Sequence, residues 1–153
     1  MERISDHVSY KEGIKSNTAT RLNIDNTPAS YALGNMTAVS HNLFEPLRQW
    51  VGGPIKINSF FRCEKLNSAI GGSSRSQHCY GRAIDIDDTF GHKTNAEMFD
   101  YIKENLSYDQ IIWEFGNNDN PDWVHVSYVS KDENRGRALK AVKENGKTTY
   151  QVI

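Results

Sequence analysis

Two short segments of the chain place a titratable side chain between two branched aliphatic residues. The first is Ile-Asp-Ile at residues 84–86, and the second is Val-His-Val at residues 124–126. Because side chains of a β-strand alternate between its two faces, the aliphatic residues of both segments would enter a core. Asp85 and His125 would then lie on the opposite face. The pattern predicts two strands, each with one apolar face and one face that presents a polar side chain from a rigid platform.

Length and composition indicate a globular protein with one core. The chain has 153 residues, of which 37% are hydrophobic and 24% are charged, so we expect a single domain over residues 1–153. The net charge of −1 argues against a general binder of nucleic acid or of anionic membranes, which is usually clearly basic. No apolar run approaches the roughly 20 residues that span a bilayer, so we expect no stable membrane insertion. We also expect a monomer.

The N-terminus and the cysteines predict a cytoplasmic site of synthesis. The first seven residues are polar and lack the apolar segment of a signal peptide. Cys63 and Cys79 are too few for a disulfide framework, although they could form one bridge. Two free thiols fit the missing signal peptide better.

The helix signals concentrate in the first half of the chain. Capping boxes begin at Ser9 and at Thr94, and the second one precedes the apolar stripe of a helix at about 95–106. Thr-Pro at residues 27–28 predicts the start of an amphipathic helical region over 28–50, with a bend or break near Gly34 or Pro46. Residues 17–20 are predicted to be a stop or turn.

The strand signals come mostly later. Alternating or apolar runs predict strands at 55–59, 82–87, 110–115 and 123–129, and residues 148–152 are a candidate for a last strand. The polar turn at 116–121 would join the third and fourth strands in a hairpin. Because helices come first and strands follow, we predict an α+β fold in which N-terminal helices pack on a mostly antiparallel sheet.

His78 adds a second imidazole to the pair of strand residues. It lies seven residues before Asp85, and a turn at Gly81 could fold it back beside that carboxylate. Two histidines and one carboxylate are a common ligand set for one catalytic Zn²⁺, and three protein ligands leave the fourth position open for water. Zinc lowers the pKa of such a water from about 15.7 to roughly 7, so the pattern predicts a hydrolase.

Hydrolysis also requires a carboxylate that takes a proton from the water and passes it to the leaving amine. Two residues are candidates for this role. Asp122 lies three residues before His125, and Glu114 lies on the facing strand of the predicted hairpin. Symmetric pairing about the turn would place Glu114 opposite His125. The residues alone leave the choice open.

The longer pattern resembles a known family of zinc peptidases. Ser-x-His-x-x-Gly-x-Ala-x-Asp at residues 76–85, followed by Trp-x-His at 123–125, is similar to the zinc D-alanyl-D-alanine carboxypeptidases and the phage L-alanyl-D-glutamate endopeptidases. Ser-Phe-Phe-Arg at residues 59–62 is similar to their Ser-Gly-Tyr-Arg element, with Phe60 in place of the glycine. The run from residue 4 to 26 resembles the small phage and Bacteroidetes members. The resemblance implies the fold shared with the hedgehog signalling domain.

The resemblance also implies cleavage of peptidoglycan peptides and a role for each motif residue. His78, Asp85 and His125 match the family's zinc ligands, and Asp122 matches the acidic position of its Asp/Glu-x-x-His motif. Some members lack an acidic residue there, which keeps Glu114 as an alternative base.

Two further residues match positions that face the substrate. Arg62 matches the arginine that contacts substrate or stabilises the developing oxyanion, and a guanidinium suits both tasks. Ser76 matches a serine that helps to hold the substrate.

These implications lead to an expected biological setting. We expect an endolysin or a cell-wall remodelling enzyme that acts in the wall or periplasm, in the first case after phage-mediated release. Carboxypeptidase and endopeptidase action both remain open, because loop shape decides between a closed and an open groove. The alternative is a non-catalytic, zinc-containing module that binds the cell wall.

Overall fold

The computed structural model describes residues 1–153 and has an α+β architecture. Six α-helices are present: α1 (Tyr10–Ile14), α2 (Asn17–Leu22), α3 (Ser30–Val39), α4 (Glu45–Val51), α5 (Glu64–Ala69) and α6 (Asn95–Asn105). Eight strands accompany them: β1 (Arg3–Ser5), β2 (Val8–Ser9), β3 (Lys56–Ser59), β4 (Ala83–Asp87), β5 (Gln110–Glu114), β6 (Trp123–Ser127), β7 (Arg137–Glu144) and β8 (Lys147–Val152). None of the helices is both long and apolar enough to cross a membrane.

The main sheet has six strands in the order β3-β4-β6-β5-β7-β8, and β1 with β2 forms a separate small pair. Every neighbouring pair of the main sheet is antiparallel except β5 and β7, which are parallel. The predicted α+β class and mostly antiparallel sheet are therefore confirmed. The predicted strands also agree with the observed ones to within two residues at each end. Strand β7 lies in a stretch for which the sequence predicted no strand.

The two faces of the main sheet are buried to very different extents. The face with Ile84, Ile86, Val124 and Val126 packs under the helices in a cluster of 23 buried residues. The opposite face carries only a small buried cluster of Ile112, Leu139 and Ala141. Strand alternation places Asp85 and His125 on this second face, as the sequence predicted.

Local capping explains where the short helices begin. The capping boxes at Ser9 and Thr94 are both present, and each opens a helix. The predicted turn at residues 17–20 is wrong, because these residues belong to α2. The Ser16 hydroxyl accepts a hydrogen bond from the Ala19 amide at 3.1 Å and so starts this helix. Asn23 ends it in the left-handed conformation, with φ of 55°.

The helical region that follows is interrupted near Pro46, as predicted. A π-helical turn, Ser40–Phe44, separates α3 from α4. Because proline has no N–H to donate, the α-helical hydrogen-bond ladder cannot continue through this point. The start of the region differs from the prediction: Ala29 is the N-cap of α3, and the Thr27 hydroxyl donates instead to Asp25 at 2.6 Å.

Candidate metal centre

Three side chains that could bind a metal converge on the exposed face of the main sheet. Asp85 on β4 lies directly opposite His125 on β6 in the antiparallel register. His125 Nδ1 is 3.0 Å from one carboxylate oxygen of Asp85, and His78 Nε2 is 3.2 Å from the other. The three ligand atoms lie within 4.8 Å of one another. The structure thus brings together the three residues that the sequence predicted as zinc ligands.

His78 is held in a fixed orientation by its surroundings. Its Nδ1 is 2.7 Å from the Phe60 carbonyl, to which it donates its proton, so Nε2 is left free to face Asp85. The His78 amide donates to the Ser76 hydroxyl at 3.3 Å, which starts the 3-10 turn Gln77–Tyr80. Gly81 ends that turn with φ of 72° and packs against the Ala32 carbonyl of α3. A side chain at Gly81 would collide with this helix, so the turn requires glycine.

Electrostatics favour the protonation states that a metal requires. Burial lowers the pKa of His78 strongly enough to outweigh the negative charge of Asp85. Burial alone would raise the pKa of Asp85, but the two neighbouring imidazoles lower it well below its ordinary value. The site therefore combines a neutral His78 with an ionised Asp85, and metal binding requires both states.

The spacing of the donor atoms also fits zinc. In a tetrahedral site with bonds of about 2.0–2.2 Å, neighbouring ligand atoms lie about 3.3 Å apart. The two nitrogen-to-oxygen distances in the triad, 3.0 Å and 3.2 Å, are close to this value. The donor set of two imidazoles and one carboxylate leaves a fourth position for water or substrate. Cys79 does not belong to this group, and both cysteines are free thiols.

Glu114 lies beside the metal centre on the same face of the sheet. The predicted pairing is wrong in detail, because Ile112 lies opposite His125 and Glu114 lies opposite Trp123. This register is displaced by two residues, which preserves the face on which each side chain lies. Glu114 is only 8% exposed, and its burial raises its pKa to about 7. The carboxyl is therefore a diagonal neighbour of His125, within reach of the same space.

Asp122 occupies a different environment. Its side chain is exposed to solvent at the residue that precedes β6. Both of its backbone polar groups are hydrogen-bonded: the Asp122 amide donates to the Glu114 carbonyl at 2.9 Å, and the Asp122 carbonyl accepts from Asn95 at 3.1 Å. The motif spacing from His125 is thus present, but of the two candidate carboxyls only Glu114 is buried.

Arg62 and Ser76 lie on the other side of the triad. The guanidinium of Arg62 donates to the Ser76 hydroxyl over 3.5 Å, and the Arg62 amide donates to the His78 carbonyl at 3.2 Å. The Arg62 Nε is buried and has no hydrogen-bond partner. Burial lowers the pKa of Arg62, while Asp85 opposes that effect. The half-buried cation therefore lies beside Ser76, near enough to Asp85 for the two charges to interact.

A comparison of the chain with protein-family models finds one matching family. Residues 6–127 match the model described as peptidase M15. The chain belongs to the peptidase M15 family. This family is that of the zinc D-alanyl-D-alanine carboxypeptidases, so the resemblance seen in the motifs is confirmed. No curated protein matches the chain.

Membership of the M15 family implies a metallopeptidase that acts on peptidoglycan, with a peptide as substrate. The matched range contains every candidate site residue described above. It ends at Ser127, the last residue of β6, so β7 and β8 lie beyond it.

One polar network that supports this M15 site was not predicted from the sequence. The Asp109 carboxylate is 3% exposed and accepts from the Arg135 guanidinium at 2.8 Å and 3.0 Å. It also accepts from Gln77 at 2.9 Å, and Gln77 directly precedes His78. These hydrogen bonds link the 3-10 turn that carries His78 to the residue that precedes β5. Because the partners are separated by 26 and 32 residues, no local sequence signal points to their contact.

Proposed function

We propose that the chain is a zinc metallopeptidase that hydrolyses peptide bonds in peptidoglycan stem peptides or crosslinks. The observation that carries the proposal is the convergence of His78, Asp85 and His125 next to a buried carboxyl within the M15 range. Zinc would be held by His78 Nε2, His125 Nδ1 and the Asp85 carboxylate, and when bound it lowers the pKa of water and polarises the scissile carbonyl.

Within this proposal, Glu114 is the proton acceptor. Its carboxyl is buried on the same face as His125, and its pKa of about 7 suits proton exchange near neutral pH. It takes the proton of the attacking water and passes it to the leaving amine. Asp122 retains the spacing of the family motif, but its exposed side chain lacks the environment that tunes such a group.

Arg62 is proposed to bind the substrate on the far side of the metal centre. Its positive charge and its position beside Ser76 suit the guanidinium to donate hydrogen bonds to a substrate carboxylate or to the oxygen that becomes negative during attack. Ser76 holds both the guanidinium and the amide of His78. We therefore propose that Ser76 orients the substrate-binding group and one ligand at the same time.

The proposal is tested by metal analysis followed by digestion of muropeptides. We expect one zinc per chain after reconstitution, and mass spectrometry should show new peptide termini that disappear when the metal is chelated. Protein without zinc and without any new termini would overturn the proposal. Retention on insoluble peptidoglycan without hydrolysis would instead support a cell-wall binding module.

We further propose that the protein is a phage endolysin that acts on the wall as a monomeric, single-domain enzyme after phage-mediated release. The resemblance of its motif to phage L-alanyl-D-glutamate endopeptidases supports this setting. Purified protein should reduce the turbidity of permeabilised bacteria. Release of peptides without lysis would indicate a cell-wall remodelling enzyme instead.

A further inference from the structure

The C-terminal hairpin of β7 and β8 lies beyond the M15 match but adjoins the candidate site. Strand β7 pairs in parallel with β5, the strand that carries Glu114. In the register of the sheet Glu114 lies opposite Ala141, and Ala141 lies opposite Tyr150. The three residues therefore form a row across three strands on one face.

Tyr150 lies two strands away from Glu114 in this row. Ala141 between them is fully buried but has only a methyl side chain, so nothing bulky separates the tyrosine from the carboxyl. The Tyr150 ring is 56% exposed, and its pKa is raised by burial and by the negative charge of Glu114. A partly exposed tyrosine is thus placed at the border of the site.

Two other aromatic rings and a cation extend this surface. Trp123 lies opposite Glu114 on β6, and its ring centroid is 5.6 Å from that of Phe115. The Lys143 ammonium is 5.6 Å from the Phe115 ring centroid. The surface formed by Phe115, Trp123, Lys143 and Tyr150 combines apolar rings with one positive charge, and we call it the aromatic shelf.

The shelf and Arg62 lie on opposite sides of the metal centre. Arg62 follows β3 at one edge of the sheet, Tyr150 lies on β8 at the other edge, and the ligands on β4 and β6 lie between them. Three strand intervals separate β6 from β8, which corresponds to about 14 Å at a spacing of about 4.8 Å. About four residues of an extended peptide would cover that distance. A substrate can therefore continue past the metal toward β8.

We propose that the β7–β8 hairpin forms a substrate subsite of the M15 site, in which Tyr150 is a specificity-determining residue. The subsite takes a peptide residue with an apolar side chain against the rings and a nearby carboxylate toward Lys143. It lies on the side of the metal centre opposite to Arg62, so it contacts the part of the stem peptide that continues past the metal toward β8. This inference rests on the proposed peptidase function.

The test is a truncation series of synthetic stem peptides, each shortened by one residue from either end. Wild-type enzyme, Tyr150→Ala, Tyr150→Phe and the control Gln151→Ala are compared by kcat and KM. Gln151 is exposed and directly follows Tyr150, but it lies on the opposite face of the sheet. Zinc content and thermal unfolding are measured for each protein to confirm an intact fold and metal centre.

We expect one truncation step to lower kcat/KM of the wild-type enzyme by about tenfold, the size of one lost aromatic contact, mainly through KM. The same step should have little further effect in Tyr150→Ala, because the residue and its partner are coupled. Tyr150→Phe and Gln151→Ala should behave like the wild type. An equal truncation effect in wild type and Tyr150→Ala overturns the subsite while leaving the peptidase function intact. A wild-type enzyme that cleaves none of the peptides overturns both.

Discussion

The two faces of the six-stranded sheet differ in composition although they belong to the same strands. On β6, Val124 and Val126 enter the helix-covered core, while His125 between them faces the metal centre. The core between the helices and the first face contains 23 buried residues, many of them from the helices, whereas the buried cluster on the site face contains only three. Burial on the first face stabilises the fold, and the second face is left with titratable groups near one another.

Successive side chains of one strand therefore have different roles: those on one face stabilise the fold, and those on the other face form the site. A substitution on one face should change the free energy of unfolding and leave metal binding alone, and a substitution on the other should do the reverse. The comparison of neighbouring residues on β6 tests this separation most directly, because zinc loss from both variants would contradict it.

The largest expected effect is at His125. His125→Ala removes one of the three proposed zinc ligands, so we expect loss of stoichiometric zinc and a fall in muropeptide hydrolysis of at least about 10³-fold. Val124→Ala should retain zinc and activity but lower the free energy of unfolding by about 1–3 kcal/mol, because Val124 is fully buried. Zinc content and urea unfolding measured on both variants separate the two faces. Zinc loss in Val124→Ala would show that the faces are coupled.

The second prediction distinguishes the two candidate bases. Glu114→Gln should lower kcat by about 10²–10⁴-fold while zinc is retained, because the variant loses proton transfer but not a ligand. Asp122→Asn should leave kcat unchanged, since that side chain is exposed. The measurement is single-substrate kinetics beside metal analysis. A fall in kcat in Asp122→Asn but not in Glu114→Gln would assign the base to Asp122. Full activity in both variants would reject both residues.

The third prediction concerns the pH dependence of the metal-free protein. The pKa of Glu114 rises from 4.5 to about 7 on folding, so the folded state retains a proton that the unfolded state has released. The free energy of unfolding should therefore fall as pH rises from 4.5 to 7, by about 3 kcal/mol in all. Glu114→Gln should lack this fall. Chelator-treated proteins unfolded in urea at several pH values provide the measurement, and parallel curves for the two proteins would contradict it.

The smallest expected effect lies at Arg135, whose guanidinium pairs with Asp109 just before the start of β5. Arg135→Gln leaves the buried Asp109 carboxylate without its main partner, and we expect a loss of about 2 kcal/mol at neutral pH. Burial alone would raise the pKa of Asp109, but its hydrogen bonds from Arg135 and Gln77 lower it. The difference between wild type and variant should therefore shrink as pH falls through this lowered pKa. The measurement is thermal unfolding of the wild type and of Arg135→Gln, both at pH 7 and at acidic pH. Arg137→Gln is the control, because Arg137 is exposed.

The local features of the fold could be predicted from the sequence because short-range chemistry determines them. The capping boxes at Ser9 and Thr94, the strand alternation around Asp85 and His125, and the turn at Gly81 all depend on neighbours within a few residues. The metal triad was predictable for the same reason, since two of its members lie on strands with a clear period.

Two features that the sequence did not predict correctly are the β5–β6 register and strand β7. They depend on longer-range geometry or on the turn that joins β7 to β8. The register of β5 and β6 is set by an irregular turn in which Phe115 has φ of 57°, so Glu114 lies opposite Trp123 and not His125. Asn145 and Gly146 both have positive φ and join β7 to β8 in a tight hairpin. An Asn-Gly pair is a strong hairpin signal, and together with the predicted last strand it could have revealed β7. The parallel pairing of β7 with β5 has no comparable local signal.

That parallel pairing also has a consequence for the order in which the molecule assembles. Strands β5 and β6 pair across a short turn, but β7 reaches β5 only after residues 128–136 have passed the Asp109 end of β5. Because the chain is synthesised from its N-terminus, the β7–β8 hairpin is the last part of the main sheet to emerge, and we expect it to dock last during synthesis. Until then β5 is an open edge strand, and such edges invite pairing between chains. A chain stopped before residue 137 would therefore hold all three metal ligands and yet be prone to aggregate during its synthesis.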